Sequence, residues 1–334
     1  MGVGPNSLVT GGAGFIGAHL VRELLDRGHR VVVLDDLSGG FRDNVDARAR
    51  FVEGSVTDAA RVETLFAEER FDHVYHLAAY AAEGLSHFVR RFNYTNNLIG
   101  SINLVNQSVL HGVHRFVFTS SIAVYGNGSL PLRESQVPRP EDPYGIAKLA
   151  VEQDLEAAHA LFGLDYTVFR PHNVYGEYQN LGDRYRNVVG IFMNQVMSGR
   201  PLSVFGDGEQ TRAFSYVGDV VPAMARCVEL DAARNQVFNV GGDQPYSVNQ
   251  LARAVLEVTG SGEEIVHLPA RNEVAHAYSD HTKFRSAFGA GRSTELREGL
   301  ERMWRWAQRA GARRTKPFAG IEIERNLPEF WKQG

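Results

Sequence analysis

The sequence predicts an α/β protein: a doubly wound parallel sheet with a smaller α/β region interleaved with it. Three observations predict it. Short apolar runs alternate with longer helical ones from residue 8 to residue 170, as expected of parallel strands joined by helical crossovers. A glycine-rich stretch, Thr10-Gly11-Gly12-Ala13-Gly14-Phe15-Ile16-Gly17, separates the first apolar run from the first helical one. A second apolar run, Val31-Val32-Val33-Leu34, ends in Asp35-Asp36.

Leu8-Val9 leads into the glycine stretch, and apolar residues at 20, 21, 24 and 25 continue it as a helix with one buried face. Glycines at 11, 14 and 17 permit a tight turn, close approach of backbone N–H groups to a pyrophosphate and close helix–strand packing. The helix N-terminus adds partial positive charge. Asp35-Asp36 stands where a dinucleotide fold places the acid that holds a ribose. A polar loop with Ser38 and Gly39 follows, then a third strand over 50–54 and a helix over 58–68 with Thr57 as its N-cap. The fourth strand, 71–79, runs into the small residues Ala78 and Ala79, against which a flat ligand can lie. A helix over 94–111, a strand over 115–121 ending in hydroxyls, a helix over 144–162 and a strand over 166–170 continue the alternation.

Beyond Asn173 the pattern loosens. The polar stretch 176–187 leads into an apolar helix, 188–197, followed by the loop Phe205-Gly206-Asp207-Gly208 and a strand over 212–217. A helix over 219–230, a strand over 236–240 and a helix over 247–259 come next. Residues 1–173 are read as a cofactor domain to which part of the later chain returns, and 174–334 mainly as a substrate region. The basic patch 313–316 reads as a solvated helix end and 327–334 as a surface tail.

With 39 acidic and 35 basic residues among 334, the net charge of −4 makes no electrostatic case for nucleic acid or an anionic membrane. The single cysteine, Cys227, lies in an apolar run and is read as core; it excludes an intrachain disulfide and fits a reducing compartment. No apolar run approaches the ~20 residues of a membrane span, and the first strand leaves no room for a signal peptide before it. A cytoplasmic location is expected.

Tyr144-Gly145-Ile146-Ala147-Lys148 places a phenol and an ammonium on one helix face. The ammonium is expected to lower the tyrosine pKa and make the phenol a base. Ser121, at a strand end, completes a hydroxyl-binding trio. Alone, this spacing is a common surface pair; downstream of a glycine turn and a serine-rich strand end it reads as catalytic.

The blocks TGGAGFIG, LDDLSGG, HLAAYAA, FTSSIAVYG, DPYGIAKLAVE, FRPHNVYG, FGDGEQTRAFSYVGDV and FNVGGDQPYSV follow in this order. Through them residues 8–302 resemble the extended short-chain dehydrogenase/reductase superfamily, specifically its nucleotide-sugar epimerases and dehydratases. The resemblance implies a Rossmann sheet, NAD as cofactor, a UDP-sugar substrate and a homodimer pairing helices 94–111 and 144–162. It places Gly11, Gly14, Phe15, Ile16 and Gly17 around the pyrophosphate and Asp35 on the adenosine ribose, with Asp36, Ser38 and Gly39 beside it. Ser55, Val56, Leu77, Ala78 and Ala79 belong to the cofactor's surroundings, and Asn97 and Pro171 lie toward the nicotinamide. Ser121, Tyr144 and Lys148 form the catalytic trio, the last two also meeting the cofactor. Ala81, Ile122, Ala123 and Asn173 would border the sugar. Asn187, Val188, Arg212 and Arg271 would hold the diphosphate and base, while Arg184 or Arg186 could pair with a substrate carboxylate.

The chain also departs from its relatives. Galactose epimerases carry a lysine at the place of Ala81, and an acid commonly stands at the place of Ser55. The family's 4,6-dehydratases have an aspartate–glutamate pair at the places of Ile122 and Ala123, its glucuronate decarboxylases a glutamate at that of Ala123, and its mannose 3,5-epimerases a cysteine there. Lacking these groups, the chain is expected to return the hydride to the opposite face of a 4-ketone. That describes an NAD-dependent UDP-sugar 4-epimerase, acting on UDP-glucose/UDP-galactose or on UDP-glucuronate/UDP-galacturonate. A reductase or dehydrogenase exchanging NAD(P)H and a non-catalytic NAD-sensing protein stay open as alternatives. Residue 277 or 278 is expected to border the sugar, Ala277 leaving room for an N-acetyl group and Tyr278 leaving none.

Overall fold

The computed structural model describes residues 4–271, 273–291, 293–313 and 318–332. In chain order the first half comprises β1 (Asn6–Thr10), α1 (Phe15–Asp26), β2 (Arg30–Asp35), β3 (Arg50–Glu53), α2 (Ala59–Glu68) and β4 (His73–His76). Next come α3 (Glu83–Ser86), α4 (Arg90–Tyr94), a π-helical turn Thr95–Ile99, α5 (Gly100–Leu110), β5 (Arg115–Thr119), α6 (Pro143–Phe162) and β6 (Tyr166–Pro171). The chain continues through β7 (Val174–Tyr175), α7 (Val188–Met197), β8 (Leu202–Phe205), β9 (Thr211–Ala213), β10 (Ser215–Tyr216) and α8 (Val217–Arg226). It ends with β11 (Gln236–Val240), β12 (Pro245–Ser247), α9 (Val248–Thr259), β13 (Ile265–Leu268), β14 (His276–Ala277), α10 (Thr282–Phe288), α11 (Leu296–Ala310) and α12 (Glu329–Lys332).

Seven strands form one parallel sheet in the order β11-β6-β5-β4-β1-β2-β3. Every residue of β1, β5 and β6 is buried, because helices cover both faces of the sheet. The strand order reverses between β1 and β4, and ligands of such sheets bind beyond the carboxyl ends of the strands at that point. One apolar cluster packs α1, α8 and the later helices on one face; a second packs α2, α5 and α6 on the other. Among the described residues no helix is long and apolar enough to cross a membrane.

Helix boundaries follow local chemistry. Pro143 starts α6 with Asp142 as N-cap, its carboxylate accepting from the Gly145 N–H at 2.9 Å, and Gly163 ends it at φ 75°. The expected cap of α2 is off by one: Asp58 accepts from Arg61 N, while the Thr57 hydroxyl meets Ser55 at 2.9 Å. The helix expected over 94–111 begins at Arg90 and contains the π turn, and Asn93 and Asn97, one turn apart, both face inward. The strand expected over 212–217 is two: β9 pairs with β12 and β14, β10 with β7. The helix expected over 219–230 starts at Val217 and gives way at Cys227, which is buried. In the basic patch, residues 314–316 lie outside the described residues; the Arg313 guanidinium stacks 3.7 Å above the Phe41 ring.

The tail departs most from expectation. Leu327 and Trp331 are buried in a small cluster with Ala82, Leu85 and Val89. The Glu322 carboxylate fastens the segment by accepting from the backbone N–H groups of Arg91 and Phe92, both at 2.8 Å. Aromatic burial outweighs the polarity of the surrounding tail.

Candidate functional site

A cleft of about 550 Å³ is bounded by the glycine turn, the ends of β2, β4 and β5, the start of α6, and the segment leading into α7. Its volume suits a cofactor or substrate pocket. At one end, Gly11 sits at φ 73°, and a Cβ there would stand 2.7 Å from the backbone nitrogen of Ala78. A Cβ on Gly17 would stand 2.2 Å from the Gly11 carbonyl oxygen. The turn and helix thus approach as only glycine allows. Gly14 is the N-cap of α1 and supplies no side chain to cap it, so the first-turn N–H groups are available to an anion.

Asp35 ends β2, its carboxylate accepting from Ala13 N at 2.9 Å and Leu37 N at 2.8 Å. Burial raises its pKa against the pull of those bonds. Asp36 accepts from Ser38 N at 2.9 Å. Ser55, Val56, Leu77, Ala78 and Ala79 line the neighbouring wall. At its inner end the Thr119 hydroxyl is buried without a partner. An uncapped helix end, the Asp35 carboxylate and a hydroxyl without a partner among the described residues stand along one wall and fit a dinucleotide.

Tyr144 stands in the first turn of α6, where its N–H meets the Ser86 hydroxyl at 3.3 Å. One turn on, Lys148 is 2% exposed and donates to the Thr119 carbonyl at 2.8 Å. Ser121, Tyr144 and Lys148 all line the cleft. The expected lowering of the tyrosine pKa is reversed. Burial raises it first and the Glu83 carboxylate second, against a hydrogen bond from Ser121. The Lys148 ammonium lies 5.8 Å from the centre of the Tyr144 ring, and burial brings its own pKa down to about 7. The pair therefore stands as phenol and weakened cation rather than as phenolate and ammonium.

At the other end Arg186 pairs with Asp183 at 2.5 Å and lies 5.0 Å over the Tyr80 ring. Arg212 and Arg271 converge on Glu273 at 3.5 and 3.1 Å. Asn187 caps α7 at φ 46°, its side chain accepting from Val189 N, and Val188 begins the helix. Ala81, Pro171 and Asn173 are also on the wall.

Several expected residues stand elsewhere. Asn97 spends its amide on both backbone groups of Tyr80, at 2.8 and 3.1 Å, and on Asn93, so it positions the wall without forming it. Ile122 is buried in a side cluster with Val124, Tyr125, Leu132 and Ala277. Ala123 packs its carbonyl against Gly145 and donates its N–H to Ser121. Arg184 lies over the Phe330 ring, toward the tail. Neither Ala277 nor Tyr278 borders the cleft: β14 turns Ala277 into the side cluster, and the Tyr278 carbonyl accepts from Leu132 N. The wall also holds residues that the sequence did not point to, Glu83 and Trp331 among them. Glu83 looks like an ordinary surface acid in a run of small residues; its only signal is its position seven residues beyond the end of β4. Trp331 was hidden in the tail, where the pair Phe330-Trp331 was the available sign.

Residues 7–241 match the model of the NAD dependent epimerase/dehydratase family. A UDP-glucose 4-epimerase from Mycolicibacterium smegmatis is 35% identical over 302 residues, 88% of this chain and 96% of that one. The crystal structure of a UDP-glucose 4-epimerase with UDP-glucose from Thermotoga maritima has a TM-score of 0.87 and 38% identity, covering 91% of this chain and 99% of the other. A UDP-glucuronic acid 4-epimerase from Bacillus cereus, in complex with UDP-glucuronic acid and NAD, has a TM-score of 0.83 and 26% identity over 91% and 99%. The glycine turn, Asp35 and the set Ser121, Tyr144 and Lys148 thus occur within matches that span most of the sequence, and the chain belongs to the NAD dependent epimerase/dehydratase family, with NAD as its cofactor.

Proposed function

We propose that the protein is a UDP-sugar 4-epimerase that interconverts C4 epimers through a transient 4-keto sugar while NAD stays bound. The observation that carries this reading is the convergence of Ser121, Tyr144 and Lys148 on one cleft in which the two residues after Ser121 present neither acid nor thiol. NAD, when bound, takes the hydride from C4 and gives it back. Tyr144 takes the proton of the C4 hydroxyl as its C4–H bond breaks, and Ser121 holds that oxygen. Lys148 keeps a positive charge next to the developing phenolate and, through the Thr119 carbonyl, a fixed place. Once the ketone has turned its other face, Tyr144 returns the proton and the second epimer forms. The diphosphate must stay held during that turn, a task suited to the guanidinium forks of Arg212 and Arg271.

The test uses protein purified without added cofactor. Mass spectrometry of the denatured protein is expected to release NAD, because Asp35 would repel the 2′-phosphate of NADP. Product NMR is then expected to show UDP-galactose forming from UDP-glucose, or UDP-galacturonate from UDP-glucuronate. Stoichiometric NAD(P)H production would instead identify a dehydrogenase. Bound NAD with no conversion of any UDP-sugar would identify a sensor.

A further inference from the structure

The cleft contains one charged group that nothing above employs. Glu83 opens α3, and its backbone carbonyl accepts from the Ser86 hydroxyl at 2.6 Å. The same hydroxyl meets the N–H of Tyr144 at 3.3 Å, which fixes α3 to the first turn of α6. The Glu83 carboxylate lines the cleft and makes no hydrogen bond or ion pair with any described residue. Its neighbours are all in use. Asp142 caps α6, Glu141 accepts from the Asn127 amide at 2.8 and 2.9 Å, Asp183 holds Arg186, and Glu273 holds both Arg212 and Arg271.

Glu83 is close enough to Tyr144 for its charge to act on the phenol, and to Arg212 and Arg271 for theirs to act on it. Glu83, Tyr144, Arg212 and Arg271 all line the one cleft in which the proposed reaction puts the hexose ring. The cleft wall is acidic here, and the arginines that could neutralise a second carboxylate already face one.

We propose that Glu83 determines specificity at the sugar site: its free carboxylate accepts hydrogen bonds from sugar hydroxyls and rejects a sugar that carries a carboxylate of its own. This assignment rests on the UDP-sugar 4-epimerase reading and narrows it to uncharged hexoses. A carboxylate offers about four acceptor positions on two oxygens, so it serves hydroxyls presented by either orientation of the turning ring. A uronate would offer that group no donor at C6 and would put two like charges together in one cleft, a recognised device for excluding the wrong ligand.

The experiment measures kcat/KM for UDP-glucose and UDP-glucuronate with the NAD-loaded protein and its Glu83→Gln variant, by product NMR in D2O. The wild type is expected to prefer UDP-glucose, and E83Q to shrink the preference by a factor on the order of 10–10². The Glu83 side chain is exposed along the cleft, where partial desolvation first and the Asp142 charge second raise its pKa, so the wild-type preference should also shrink as the pH falls from about 8 to about 6, and that of E83Q should not. An unchanged ratio in E83Q, a wild type that prefers the uronate, or solvent deuterium at a ring carbon that vanishes in E83Q would each overturn the assignment while leaving 4-epimerisation standing. If E83Q does not fold, the wild-type pH series decides alone, a flat ratio overturning the proposal. Absence of any C4 epimer from every UDP-sugar would overturn the parent reading, and this one with it.

Discussion

Replacing Gly17 by alanine sets two opposed effects against each other. In an ordinary helix interior, alanine is favoured over glycine by about 1 kcal/mol. Here the added Cβ would stand 2.2 Å from the Gly11 carbonyl oxygen, 2.8 Å from Gly12 Cα and 2.9 Å from Gly11 C, all backbone atoms. Ordinary contact begins at 3.4 Å, so the turn and helix must part by roughly 1 Å. Overpacking of this kind costs typically ~1–3 kcal/mol, which cancels or exceeds the helical gain. The larger effect falls on the cofactor, because the turn that moves is the one meant to hold the pyrophosphate; a displacement near 1 Å in such a site costs about 10²-fold. The assay is the molar ratio of NAD to purified protein, with the melting temperature recorded alongside. Gly163→Ala is the control: unlike Gly17 it sits at positive φ, 75°, but a Cβ there meets nothing within 4 Å, so it should lower stability slightly and leave NAD content alone. A Gly17→Ala protein that retains a full complement of NAD and melts no lower than wild type would refute the close-approach argument.

Tyr144→Phe should lower turnover by a factor on the order of 10²–10⁴ with NAD still bound; near-normal turnover would mean that another group is the base. A homodimer is expected, because Ile99 and Ile146 are 52% and 41% exposed at the helices proposed to pair, whereas Leu155 is buried in the core and Leu98, Ile102 and Leu149 are half-buried. Light scattering at ~1 μM should give about twice 37.0 kDa, and Ile99→Glu with Ile146→Glu should give the monomer; a monomeric wild type would count against the pairing. Acid should weaken the fold through His172, which is 2% exposed, meets His281 at 3.0 Å and has its pKa lowered to about 4, first by burial. Its folded pKa lies below the unfolded value of about 6.5, so the unfolded chain binds the extra proton; stability is intact above pH ~6.5, falls between there and about 4, and loses at most ~3 kcal/mol from this group. Urea midpoints that do not differ between wild type and His172→Gln across that window would contradict it.

The sequence disclosed what repeats or what only one residue type can do. Strand β2 stood out because burial on both faces favours a continuous apolar run, here Val31-Val32-Val33-Leu34. The helix expected over 144–162 comes within one residue of α6, whose ends are set by Asp142-Pro143 and Gly163. The glycine turn was visible because only glycine allows its close approach. What stayed hidden depends on where distant segments meet. The π turn leaves side-chain spacing nearly unchanged, so a continuous helix was the natural reading. Arg184 and Arg186 are equivalent in sequence, and only the fold sends one toward Phe330 and the other over Tyr80. The charge balance around Tyr144 could not be read from Lys148 alone, because Glu83 reaches it from another helix and burial acts on both partners.

The place of β11 means that the two halves of this chain share one fate in unfolding. Strand β6 is buried along its whole length only because residues 236–240 lie beside it in register, from Gln236 opposite Thr167 to Val240 opposite Pro171. A fragment cut after residue 173 would leave that apolar strand as a bare edge, open to pairing with other copies, and would lose Met224, Phe238 and Phe288 from the cluster around Val9 and Tyr75. The cofactor half is thus not a module that evolution or an engineer can lift out. Heat that loosens the later chain loosens the sheet with it, and whatever binds at the glycine turn stabilises residues more than two hundred positions away.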